Sequence, residues 1–171
     1  MKKIILCPLF PPDVSEPAQY AKVLTTHLSE FSVIAFGPLP ESVPEVEIVS
    51  IAKRAPLLAS IRCLQKLLTL KPKSVVVLNG TLAELPALLY SFLSSAHLAL
   101  IIHDKPAENG LRLLVHKILI KRADVLYLPE DSSVYLPQEK LPFTTYDYSR
   151  QNRYDAWWNA HIAQLQAHFN V

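Results

Sequence analysis

The stretch Ser74-Val75-Val76-Val77-Leu78-Asn79-Gly80 decides the fold. A strand with one solvent-exposed face alternates polar and apolar residues, whereas the stretch Ser74–Leu78 carries three consecutive valines. We therefore expect it to be buried on both faces of a sheet. The Asn-Gly pair turns the chain out of the strand. Thr81 and Glu84 have the spacing of a capping box, which predicts that a helix begins there.

The same alternation of strand and helix extends toward both ends of the chain. Further apolar strands are predicted at Lys3–Cys7, Phe31–Phe36, Val46–Ile51, Leu98–Ile102 and, as the last strand, Val125–Leu128. Helical periodicity predicts helices at Pro17–Ser29, at Leu111–Arg122 and along the stripe Leu57, Ile61, Leu64 and Leu68. The order of these elements predicts an α/β three-layer sandwich around a mainly parallel, doubly wound sheet.

Composition excludes several classes of protein. Half of the 171 residues are hydrophobic and 19% are charged, which excludes a disordered chain. The formal charge of +2 is too small to suggest nucleic-acid binding. The chain has three glycines and no Gly-x-Gly-x-x-Gly motif, which disfavours a conventional dinucleotide-binding fold.

The cysteines, the histidines and the longest apolar run bear on the cellular compartment and on metal binding. Cys7 and Cys63 lack metal or redox spacing, and we interpret them as small buried hydrophobic residues in a reducing cytoplasm. The histidines share no ligand spacing, so no metal site is expected. The apolar run 85–102 contains Pro86 and His97, which favours a helix followed by a buried strand over a membrane span.

Three stretches carry a resemblance to a known family. They are Lys3-Ile4-Ile5-Leu6-Cys7-Pro8-Leu9-Phe10-Pro11-Pro12-Asp13, then Ile101-Ile102-His103-Asp104, and then Lys121-Arg122-Ala123-Asp124-Val125-Leu126-Tyr127-Leu128-Pro129-Glu130-Asp131-Ser132. In this order they resemble the first half of family-4 glycosyltransferases of the GT-B fold. The resemblance implies an N-terminal, acceptor-side Rossmann-like domain over residues 1–143.

The tail, residues 144–171, is expected to be a linker and an amphipathic helix from Tyr154 to Phe169. The helix is similar to the one with which members of this family cross back onto their first domain. We therefore expect the C-terminal nucleotide-sugar domain to be lacking, with the helix packing on its own domain or on a partner. The alternative is a generic amphipathic tail.

Ligands of such sheets bind beyond the carboxyl ends of the strands. The resemblance implies catalytic roles there for His103 and Asp104, although both could instead cap backbone groups. Candidate donor-binding residues are Ser15, Glu16, Asn79, Gly80, Glu130 and Ser132. Turn formation and helix capping explain the same residue types equally well.

The loop after the first strand departs from the family pattern. The family has a glycine-rich turn that lets a diphosphate approach the helix end, but residues 13–17 contain no glycine and include Glu16 and Pro17. A helix end favours an anion by about 0.3–1 kcal/mol. A like charge at about 4 Å opposes it by about 4 kcal/mol at an effective dielectric near 20. Donor binding by this chain is therefore in doubt, and no cofactor is expected.

The leading hypothesis is the acceptor-side subunit of a split transferase in cell-envelope or polysaccharide synthesis. It would act with a partner chain that carries the nucleotide-sugar domain and on a glycan or lipid-linked acceptor, and we expect no activity from the chain alone. The alternatives are an inactive binding or scaffold module and an unrelated Rossmann-like protein that binds a small nucleotide. The basic, apolar stretch 111–122 suggests a peripheral contact with the inner face of the membrane, although an ordinary covering helix has the same pattern.

Overall fold

The protein forms one parallel sheet of seven strands in a computed structural model. The structure describes residues 2–13, 15–37, 42–43, 45–53, 55–102, 110–129, 143–146 and 155–169. The strands are β1 (Lys3–Cys7), β2 (Phe31–Phe36), β3 (Ile48–Ile51), β4 (Ser74–Leu78), β5 (His97–Ile101), β6 (Val125–Pro129) and β7 (Phe143–Tyr146). Their order is β3-β2-β1-β4-β5-β6-β7, and every neighbouring pair is parallel. This confirms the predicted α/β sandwich with a doubly wound sheet.

Five helices cover the two faces of the sheet. They are α1 (Glu16–His27), α2 (Pro56–Leu70), α3 (Thr81–Leu93), α4 (Gly110–Arg122) and α5 (Asp155–Phe169). Helices α2, α3 and α4 share one hydrophobic cluster with the sheet, whereas α1 and α5 share the other. All five residues of β4 are buried, because β4 is a central strand covered on both faces.

Helix α2 presents a different face to the sheet from the one expected of its leucine stripe. Leu57, Ile61 and Leu68 are 69%, 45% and 40% exposed. The helix instead buries Ala59, Ser60, Cys63 and Leu67. Apart from Leu67 these buried side chains are small, which allows close contact between α2 and the layer beneath it, while Leu57, Ile61 and Leu68 remain outside.

Two strand predictions and one cap need correction. Strand β3 begins at Ile48 rather than Val46, and β7 follows β6, so the strand beginning at Val125 is not the last. Helix α3 begins at Thr81 as predicted, but Gly80 is its N-cap without a side-chain capping bond. The predicted capping box is therefore not formed, since the Glu84 carboxylate is hydrogen-bonded to a histidine instead.

Helix α5 packs beside α1. Phe169 meets the ring of Phe31 edge-on, with the centroids 5.7 Å apart. The Tyr20 hydroxyl lies 2.7 Å from His161 Nε2, and both side chains are buried. Burial lowers the pKa of His161 from 6.5 to about 4. The last helix is thus fixed to the domain by aromatic packing and by one buried polar contact.

Candidate functional site

The winding of the chain reverses between β1 and β4. From β1 the chain proceeds to β2 and β3 on one side, while β4 leads to β5, β6 and β7 on the other. Strands β1 and β4 are hydrogen-bonded neighbours in register, with Leu6 opposite Val77. In an open α/β sheet this reversal leaves a crevice beyond the carboxyl ends of the two strands, which is where ligands bind. The loops that leave β1 and β4 are therefore the centre of the candidate site.

Gly80 brings those two loops into contact. Its φ of +149° favours glycine, and a Cβ at this position would lie 2.8 Å from Pro8 Cγ. The neighbouring Asn79 is buried, and its N–H donates to the Ile101 carbonyl oxygen of β5 at 2.9 Å. The turn after β4 is thus packed against the loop after β1 on one side and tied to β5 on the other. Of the predicted donor-binding residues, Asn79 and Gly80 lie together at this edge.

The loop after β1 places Asp13 beside the start of α1. The Asp13 carboxylate accepts the Ser15 N–H at 2.9 Å. Hydrogen bonding by Ser15 holds the pKa of Asp13 below its usual value, so this side chain is ionised at neutral pH. Ser15 is the N-cap of α1, and its side chain makes no capping bond. The Asp13 carboxylate therefore lies at this helix end; the side chain of Glu16, the acid predicted there, lies outside what the structure describes.

A buried acid and a buried histidine meet close behind this edge. Glu84 lies in the first turn of α3, and its Oε1 is 2.7 Å from Nδ1 of His116 on α4. Both side chains are almost fully buried. The sequence marked Glu84 only as a capping residue, and nothing in the spacing of His116 pointed to this pair. The pair ties α3, which begins at the crevice, to α4.

Five predicted positions are not described in full. His103, Asp104, Glu130 and Ser132 lie outside the described residues, and for Glu16 only the backbone is described. Their roles stay predictions. His103 and Asp104 follow β5 in the sequence, and Glu130 and Ser132 follow β6. Strands β5 and β6 end on the same edge of the sheet as β1 and β4, because each neighbouring pair of these strands is parallel.

The described part of the chain has neither a cluster of metal ligands nor a membrane-spanning helix. Nowhere in it do three or more histidine, cysteine, aspartate or glutamate side chains gather as a metal site would require. Among its helices, none combines the length and the hydropathy that crossing a bilayer requires. The run 85–102 instead divides between α3 and β5, as predicted.

Comparison with known proteins extends only to the fold. No protein-family profile matches the sequence, and no curated protein does either. Among solved structures, UDP-GlcNAc 2-epimerase from Methanocaldococcus jannaschii aligns with 77% of this chain and 40% of its own, at 17% identity and a TM-score of 0.52. MurG from Acinetobacter baumannii aligns with 82% of this chain and 44% of its own, at 15% identity and a TM-score of 0.53.

The chain thus spans less than half the length of either protein. At these identities the likeness concerns architecture and not activity. It agrees with the strand order and the reversal point described above. The described part of the chain has a GT-B-like Rossmann fold.

Proposed function

We propose that this chain is the acceptor-side subunit of a split glycosyltransferase of the family-4 kind, active in cell-envelope or polysaccharide glycan synthesis. A partner chain would hold the nucleotide sugar, and the acceptor would be a glycan or a lipid-linked glycan. The fold and the motifs in residues 1–136 support the relationship to glycosyltransferases. The assignment of donor binding to a partner chain rests on one observation, which is the Asp13 carboxylate at the start of α1.

That carboxylate lies where the donor diphosphate of a related enzyme would approach. A phosphate about 4 Å from it would be opposed by about 1 kcal/mol in water and by about 4 kcal/mol at an effective dielectric near 20. The end of α1 returns only about 0.3–1 kcal/mol. Pro17 also removes one N–H from the first turn of this helix. In water the two contributions are of similar size, and the charge of Lys53, which helps to lower the pKa of Asp13, offsets part of the repulsion. Repulsion outweighs attraction once a bound donor excludes water from the loop, and on this ground we expect the donor to be bound elsewhere.

A neutral acceptor meets no such penalty. Sugar hydroxyls donate hydrogen bonds to carboxylates, so Asp13 can orient an acceptor that it does not repel. His103, at the end of β5, is the candidate for proton transfer to or from the acceptor hydroxyl, and Asp104 is its candidate partner. Asn79 and Gly80, which lie at the same edge of the sheet as the end of β1, are further candidates for contact with the acceptor.

The experiment is purification of the chain from its native host, identification of what accompanies it, and assay of the pair. We expect a partner with a nucleotide-sugar domain, sugar transfer by the reconstituted pair, and no transfer by the chain alone. Calorimetry on the isolated chain should detect no nucleoside diphosphate binding tighter than about 100 µM, or about −5.5 kcal/mol. Sugar transfer by the pure polypeptide would overturn the proposal.

His103→Ala tests the proposed chemistry in the reconstituted pair. Removal of a general acid or base is expected to lower kcat by about 10²–10⁴-fold. His27→Ala is the matched control, because His27 is exposed on α1 at the far end of that helix from the site. Equal activity of the two variants removes His103 from the mechanism.

A second candidate is a catalytically inactive binding or scaffold module derived from such an enzyme. The same Asp13 carboxylate favours this candidate, because a loop that no longer binds a diphosphate can carry a negative charge without loss of function. The two candidates differ in the assay of the complex. A stable partner complex without transfer under any donor supports the module and excludes the enzyme.

A further inference from the structure

Large apolar side chains are exposed along the outside of two adjacent helices. Helices α2 and α3 pack against each other in the same layer. Seven of their side chains are between 40% and 69% exposed: Leu57, Leu58, Ile61, Leu68, Leu89, Phe92 and Leu93. We call these seven residues the outer apolar face. Single exposed apolar residues are ordinary, but a group shared by neighbouring helices indicates a contact surface.

The fold does not use this face. Helix α2 already buries Ala59, Cys63 and Leu67 against the core, and α3 buries Ala83 and Ala87 on its inner side. Each helix is thus apolar on two sides, and only one side contributes to the domain. A large exposed apolar patch of this kind indicates a surface that another molecule covers.

The exposed charges on helices α2, α3 and α4 themselves, and on the turn between α2 and β4, are of one sign. Over residues 55–95 and 110–122 the basic residues are all exposed, and they are Arg62, Lys66, Lys71, Lys73, Arg112, Lys117, Lys121 and Arg122. Glu84 is the one acidic residue in those two ranges, and it is buried against His116. The Arg122 guanidinium lies 5.0 Å above the Phe92 ring. Cationic groups therefore border the apolar side chains directly.

We propose that the outer apolar face binds the surface of an anionic lipid bilayer. The basic side chains match anionic headgroups, and the leucines and Phe92 match the apolar boundary beneath them. The inference differs from the expectation drawn from residues 111–122 alone, because α2 and α3 supply the apolar part. It does not depend on sugar transfer by this chain.

The charge pattern selects this occupant over a second copy of the chain. Two such faces brought together would place basic side chains opposite basic side chains, which is repulsive. The opposite layer lacks this bias, since α1 carries Lys22 and is followed by Glu30. Helices α2, α3 and α4 also lie in one layer, which suits a flat surface.

A cavity of about 630 Å³ adjoins the face at the amino ends of β4 and β5. Leu68 and Leu93 form its apolar wall, and Lys71, Lys73 and Ser94 supply polar groups. This combination suits a lipid headgroup phosphate with its chains directed onto the outer apolar face. The C-terminal ends of α2 and α3 also point here and disfavour an anion, so the lysines must carry the interaction.

Flotation of the full chain with lipid vesicles tests the proposal. We expect binding to vesicles that contain phosphatidylglycerol, weak binding to pure phosphatidylcholine, and loss of binding as salt shortens the Debye length below about 10 Å. Lys66→Glu changes the local charge by two units and should weaken binding roughly 30-fold. Lys22→Glu on α1 is the matched control with the same change of charge, and it should alter binding less than about threefold.

Phe92→Ser separates insertion from attraction by charge. It leaves the charge unchanged and should weaken binding by roughly tenfold. Circular dichroism of each variant verifies that the fold is intact. Absence of vesicle binding by the wild-type chain, or equal weakening by Lys66→Glu and Lys22→Glu, overturns the proposal. So does self-association without lipid that Phe92→Ser abolishes, because the face would then belong to a second copy.

Discussion

Buried His161 should make the attachment of α5 sensitive to acid. The folded state holds the pKa of His161 at about 4, against 6.5 for a free side chain, because burial disfavours the charged form. The unfolded chain therefore binds the proton more tightly. This contribution to stability is complete above pH 6.5 and is lost as the pH falls toward 4.

The loss follows from the two pKa values. Between pH 7.5 and pH 5 it amounts to about 2 kcal/mol, and below pH 4 it approaches about 3 kcal/mol. His161→Gln removes the titration while retaining an acceptor for the Tyr20 hydroxyl. The variant should lose about 2 kcal/mol less than the wild type between pH 7.5 and pH 5.

Urea unfolding at several pH values measures the difference. Both tryptophans of the chain, Trp157 and Trp158, belong to α5, so fluorescence reports on this helix while circular dichroism reports on the whole domain. Tyr20→Phe is the control, since it removes the hydroxyl and keeps the burial that causes the pKa shift. Its pH dependence should match that of the wild type. Identical pH profiles for the wild type and His161→Gln would refute the reasoning.

Three further predictions concern the fold and the site. Gly80→Ala should destabilise the folded protein by about 2–4 kcal/mol in urea unfolding, through backbone strain and the contact with Pro8. Gly110→Ala should cost about 1 kcal/mol through its φ of +77° alone. Gly37→Ala should cost less than about 0.5 kcal/mol. Equal effects at Gly80 and Gly110 would exclude the steric contribution. Glu84→Ala should cost about 3 kcal/mol and show a coupling of about 1–3 kcal/mol with His116→Ala in a double-mutant cycle, because either change leaves a buried polar partner; additive losses would contradict this. Burial raises the pKa of both the Cys7 and the Cys63 thiols, that of Cys63 to about 12, so neither should react with a thiol reagent until the protein unfolds, and rapid labelling of the native chain would count against a buried location.

Much of the architecture could be predicted because burial on both faces leaves a pattern in the sequence. The three valines of β4 and the aliphatic run of β5 indicated central strands, and both are buried as expected. Strand β7 was missed because Phe143-Thr144-Thr145-Tyr146 has only four residues, which is too short for a clear period, although all four favour strands. The stripe of α2 predicted a helix correctly, but periodicity identifies an apolar face without stating what covers it.

The site was less accessible to sequence reasoning. Gly80 was predicted from the turn that it forms, but its contact with Pro8 joins residues 72 positions apart and has no local signal. The Glu84–His116 pair spans 32 positions for the same reason. Asp13 was read as part of a motif, whereas its charge at the start of α1 depends on the loop conformation that brings it to the Ser15 N–H. Local chemistry could be read from the sequence, and the long-range contacts that give it a role could not.

The Asp13 carboxylate at the crevice and the basic residues of the outer helices lie on different surfaces of the domain, and the two proposals assign them different ligands. At the crevice the described loop presents a carboxylate, which opposes a diphosphate and tolerates a neutral hydroxyl. On the outer side of the α2, α3 and α4 layer the exposed charges are basic and border apolar side chains, which suits an anionic surface. If the crevice were also basic, it would attract the phosphates of membrane lipids and of the donor. These ligands would then compete with the acceptor for the crevice. Under the two proposals, the outer face binds lipid while the crevice receives the uncharged hydroxyl of an acceptor.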